Sequence, residues 1–173
     1  FHRFQNAPYW RERFGDAAVG KHRFQWTRFY EAIADKLLAF QHDRTPLVDA
    51  IDAIIGRIDA ISNLQDQFTD GTAGPLKDIC PFTVFGIFNR GITEDNRKAI
   101  AKELATFLGV QEAVPKTFEG IPVLNNQNSW YFGYEKDRQQ DDIDTLWNIF
   151  AASLRLAESD DPDARTAFIN NFD

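Results

Sequence analysis

The chain has 173 residues, the length of about one domain. Hydrophobic residues make up 43% and charged residues 26%, which excludes a disordered chain, and the single cysteine, Cys80, excludes an internal disulfide and a four-cysteine zinc site. A net charge of −7 excludes a global basic field that would draw the whole chain onto nucleic acid or an anionic membrane.

Charge is nevertheless uneven. Residues 1–29 carry six Arg or Lys against two acids, while the rest of the chain carries thirteen against twenty-four. Residues 1–25 form a basic lead in which Arg11, Arg13, Lys21 and Arg23 alternate with aromatics such as Tyr9, Trp10, Phe14 and Phe24. Cations interleaved with aromatics suit contact with phosphates and bases, and equally suit a strap that packs its rings on the body and leaves its Arg in water. The chain starts at Phe1, contains no Met, and shows no apolar signal-peptide core. It therefore reads as one domain of a larger cytoplasmic protein. No apolar run is long enough to span a membrane.

Residues 26–173 read as a compact, mainly α domain of about six helices. Phe29, Ile33, Leu37 and Phe40 form one stripe of a helix over 26–41. A break at 42–46 follows, with Thr45 as the expected cap and Pro46 in the first turn. Leu47, Ile51, Ile54, Ile55, Ile58 and Ile61 then mark a second helix over 46–64, expected to pack antiparallel on the first. Residues 69–75 are a loop by composition. Ile79, Phe82, Phe85 and Phe88 recur every three residues, which favours a helix over 76–89 with Pro81 in its first turn. Thr93 opens the next helix as an N-cap, followed by Glu94 and Asp95. Ile100, Leu104, Phe107 and Leu108 supply its buried stripe, and Gly109 stops it. Residues 111–125 are irregular, and a short β-hairpin is admitted near 121–134. Asp141 or Asp142 begins another helix, with Ile143, Leu146, Trp147, Phe150, Ala151 and Leu154 on one face. A break at 159–162 and a terminal helix over 163–172 complete the chain.

Catalytic and metal motifs are sparse. His2, His22 and His42 lie about twenty residues apart with no partner His or Cys at ligand spacing, so no metal site is expected. Cys80 sits in an apolar segment and reads as a buried small hydrophobe. The acids at 141–144 and 160–163 lie at helix starts, where capping explains them. The stretch GIFNRGIT, residues 86–93, resembles a phosphate loop but has Ile92 where the lysine belongs. Isoleucine cannot reach a phosphate, so a helix–turn–helix connection with Gly91 in a left-handed conformation is the better reading. No catalytic residue and no cofactor are expected in this segment. Arg90, Arg97 and Lys98 cluster at the start of the helix at 94–108, as in a recognition helix or in any solvated helix face.

The segments WTRFYEAIADKLLAF (26–40), PFTVFGIFNRGITEDNRKAIAKEL (81–104), GIPVLNNQNSWYFGY (120–134) and DIDTLWNIF (142–150) together resemble the N-terminal region of McrB-like proteins. These are the AAA+ GTPase subunits of methylation-dependent (type IV) restriction systems. The resemblance implies a domain that precedes a motor, with GTP or ATP and magnesium bound by the motor rather than by this segment. It implies a role in phage defence, DNA, including methylated DNA, as a partner, and a separate nuclease subunit recruited through the full-length protein. It assigns no DNA-binding residue. Asn125, Asn126, Trp130 and Tyr134 could form an aromatic–amide pocket for a flipped base, although such residues also cap turns and fill cores. The alternative role for the domain is a helical docking module of the same protein that makes no direct contact with DNA.

Overall fold

The computed structural model describes residues 26–58, 78–88, 92–118, 140–159 and 161–172. Among these residues the fold is all helical. Six α-helices run in order: α1 (Thr27–Leu37), α2 (Thr45–Arg57), α3 (Pro81–Ile87), α4 (Glu94–Leu108), α5 (Gln140–Glu158) and α6 (Pro162–Phe172), with a single 3₁₀ turn at Leu38–Phe40. The expected loop at 69–75 and the admitted hairpin at 121–134 fall outside the described residues.

The i, i+4, i+8 spacing of α1 places Phe29, Ile33 and Leu37 on one face, and all three are buried. The expected helix then tightens to 3₁₀ geometry at Leu38 instead of running on to 41. In α2 the capping differs from expectation. Thr45 is the first helical residue and makes no side-chain cap; Arg44 precedes it, and the Asp43 carboxylate accepts from the Thr45 backbone N–H at 3.2 Å. Pro46 does lie in the first turn. The helix ends at Arg57, where Ile58 leaves helical geometry (φ −111°, ψ 90°), and the rest of the expected span, 59–64, falls outside the described residues.

Helices α1 and α2 share one core, but their expected pairing is not among the closest helix contacts. The closest helix pairings are α2 with α4, α5 with α6, α3 with α5, and α1 with α4. Both α1 and α2 thus lean on α4, whose Ile100, Ala101, Leu104, Ala105 and Leu108 are buried. A stripe carrying two alanines lets neighbouring helix backbones approach closely.

Helix α3 is shorter than expected. Cys80 is its N-cap: the thiol sulfur accepts from the Thr83 backbone N–H at 3.4 Å and lies 3.1 Å from the Thr83 hydroxyl. The deepest face is Cys80, Thr83, Val84 and Ile87, whereas Phe82 and Phe85 are only half-buried. Those two rings instead reach sideways to α5, where both meet Phe150. Burial pushes the Cys80 thiol above its ordinary pKa, against the pull of its bonds from Thr83. It is therefore protonated and shielded at neutral pH. A thiol reagent is expected to label Cys80 on the order of a hundredfold more slowly in the native protein than in denaturant. Equal rates would show that the site is open.

Helix α4 has the start and stop that its sequence announces. The Thr93 hydroxyl oxygen accepts from the Asn96 N–H at 3.3 Å. At the other end Gly109 adopts φ 67°, ψ 28°. Its N–H bonds the Thr106 carbonyl at 3.3 Å, and the Val110 N–H bonds the Ala105 carbonyl at 2.9 Å, the paired bonds of a Schellman cap. A Cβ at Gly109 would meet nothing within 4 Å, so only the backbone conformation resists substitution. Gly109→Ala is expected to cost about 1 kcal/mol, and Gly109→Asn less, since asparagine tolerates left-handed geometry. A thermal melt reads this as a drop of roughly 2–4 °C for the alanine variant.

Helix α5 buries Ile143, Trp147, Phe150 and Ala151, with Leu146 and Leu154 partly covered. The break after it holds at Ser159, and the Asp161 carboxylate accepts from the Asp163 N–H at 2.9 Å to open α6. No helix among the described residues is long and apolar enough to cross a membrane.

Candidate nucleic-acid interface

The expected basic cluster centres on the first turns of α4, so the geometry there decides what that helix can touch. Arg97 faces inward and is 6% exposed. Its Nε donates to the Phe88 carbonyl at 2.7 Å, and its Cζ lies 4.6 Å from the centroid of the Phe118 ring. A planar guanidinium suits this position, because one edge can donate while the flat face covers an aromatic ring. Burial lowers the Arg97 pKa below its ordinary value, while Tyr30 and Glu94 act in the opposite direction. An arginine so placed keeps its charge and spends it internally.

Arg97, one of the expected DNA-contacting residues, is therefore buried rather than displayed on the outer face of α4. The physical reason is that Phe88 and Phe118, from either side of α4 in sequence, close over the helix position it occupies. Sequence periodicity hints at this placement: Arg97 lies three residues before Ile100 and seven before Leu104, on the buried stripe.

Lys98 lies on the outer side of the helix, and its ammonium meets the Glu94 carboxylate at 2.7 Å. Glu94 also accepts from the Thr117 hydroxyl at 3.2 Å. The Lys98 hydrogen bond, foremost, holds the Glu94 carboxyl below its ordinary pKa. With Arg97 inside, the charged side chains left on the outside of α4 are Lys98 and Lys102 against Glu94, Asp95 and Glu103. Glu103 in turn pairs with Arg57 of α2. Among the described residues, the outer face of α4 therefore carries slightly more acid than base.

Arg11, Arg13, Lys21, Arg23, Arg90, Asn125, Asn126, Trp130 and Tyr134 lie outside the described residues, as does Gly91. Two of these groups nonetheless adjoin the Arg97 site in sequence. Phe88 directly precedes Asn89 and Arg90, and Phe118 is the last described residue before the segment with Asn125, Asn126, Trp130 and Tyr134.

A second charged site was not singled out by sequence. Arg44 donates through Nε and Nη2 to the two Asp78 carboxylate oxygens at 2.8 and 3.0 Å, through Nη2 to Asp144 at 2.8 Å, and through Nη1 to the Gln41 carbonyl at 3.0 Å. The Asp78 hydrogen bond is the largest influence raising the Arg44 pKa. The Asp78 carboxylate also accepts from the Ile79 N–H at 2.7 Å. This fork ties together the start of α2, the approach to α3 and the N-terminal part of α5. Nothing local in the sequence marks it, because its partners are 34 and 100 residues away. It also gives Asp144 a structural role beyond opening α5.

Among the described residues, no group of three or more His, Cys, Asp or Glu side chains could hold a metal ion. An open groove of about 330 Å³ lies between α5 and α6, lined by Ala152, Leu156, Ala167 and Phe168 together with Arg155.

Residues 26–173 match the family model described as Domain of unknown function (DUF8425), and the chain belongs to that family. No curated protein and no solved structure matches the chain.

Proposed function

We propose that this DUF8425 member is the N-terminal accessory domain of a McrB-like AAA+ restriction GTPase or ATPase, and that it contributes to recognition of modified DNA. In this reading the helical body is a scaffold. The contacts come from the basic lead (Arg11, Arg13, Lys21, Arg23) and from the aromatic–amide segment (Asn125, Asn126, Trp130, Tyr134). The observation that carries the reading is the likeness of four separate segments to the region that precedes the motor in such proteins. Three of these segments supply α1, α3 with α4, and α5, whose apolar faces share one core. Arg97 supports the scaffold role, since it pins the chain at Phe88 and Phe118, which in sequence closely precede Arg90 and the 120–134 segment. Nucleotide and magnesium binding, and recruitment of the nuclease subunit, belong to the rest of a cytoplasmic full-length protein; this segment is not itself the enzyme.

A second reading is favoured by a specific feature. The acidic exterior of α4 and the apolar groove between α5 and α6 suit a protein-docking module better than a DNA-facing one.

A titration of the chain with methylated and unmodified duplex at two salt concentrations separates these readings. Tighter binding of the methylated duplex at both salts is expected, with the preference abolished in Asn126→Ala combined with Trp130→Ala. Neutralising Arg11, Arg13, Lys21 and Arg23 should weaken binding to both duplexes and flatten the salt slope by roughly one unit for each phosphate that is no longer neutralised. Equal binding of both duplexes would reduce the domain to a non-specific phosphate binder. No binding at either salt would overturn the DNA reading in favour of docking.

A further inference from the structure

We draw no further inference here: the strongest candidate, the apolar groove between α5 and α6, carries nothing because nothing in the structure shows what covers it.

Discussion

Trp147→Ala is expected to destabilise the domain by about 4 kcal/mol, the largest loss of any single truncation proposed for this chain. Trp147 is completely buried on α5. Its indole N–H donates to the Ile79 carbonyl at 3.0 Å, and its ring meets Phe150 edge-on at 6.1 Å between centroids. Truncation removes the volume, the aromatic contact and the hydrogen bond together. Trp147→Phe separates them: it keeps an aromatic ring in the core but removes the donor to Ile79, and should cost about 1–3 kcal/mol. Urea unfolding of both variants provides the check. A loss under about 1 kcal/mol for the alanine variant would mean that the α3–α5 contact is not part of the cooperative core. Against a total stability of about 5–15 kcal/mol for an ordinary domain, the full loss leaves a marginal fold.

Arg97→Ala is expected to cost about 3 kcal/mol. A charge-assisted hydrogen bond to a buried carbonyl contributes roughly 1.5–3 kcal/mol, and the contact of the guanidinium with Phe118 adds to it. The alanine also leaves space beneath Phe88 and Phe118. Arg97→Met tests the cause. It refills most of the space and removes the cost of burying a charge along with the bond, so its loss should be about half as large. Arg97→Lys keeps a charge but lacks the flat face and the fixed fork, so it should not restore full stability. Denaturant midpoints at an unchanged slope would measure all three. If Arg97→Ala unfolds at the wild-type midpoint, the guanidinium is solvated rather than buried. A surface arginine reserved for DNA would give that result, because exposed charges away from special contacts change stability by less than about 0.5 kcal/mol.

These two residues divide the chain's chemistry in a useful way. Each variant changes a scaffold residue and leaves the residues of the basic lead, Asn126 and Trp130 as they are. Loss of DNA preference in the latter variants, at wild-type stability, is therefore separable from loss through unfolding.

Local patterns in the sequence determined the elements of this domain. Apolar spacing was enough to place α1, α2, α4 and α5. The Thr93 cap and Gly109 stop bounded α4, and the break expected at 159–162 separated α5 from α6, which begins one residue earlier than expected at Pro162, because capping and turns depend on residues only a few positions apart. The helix at 81–87, within the span expected over 76–89, was legible as well. Its orientation came from the structure: Thr83 and Val84 lie at the bottom of the core with Ile79 and Phe88, while Phe82 and Phe85 are half-buried. The pairing of α1 and α2 with α4 and the Arg44 fork to Asp78 and Asp144 were decided by tertiary structure alone, and the inward turn of Arg97, which its place on the apolar stripe only hints at, was settled there too. Each depends on which distant segment supplies the facing surface. Arg97 shows the reason most plainly. An arginine on a helix is ordinarily solvated, and it becomes an internal tie only when a carbonyl from α3 and a ring from residue 118 arrive together to desolvate it and satisfy its charge.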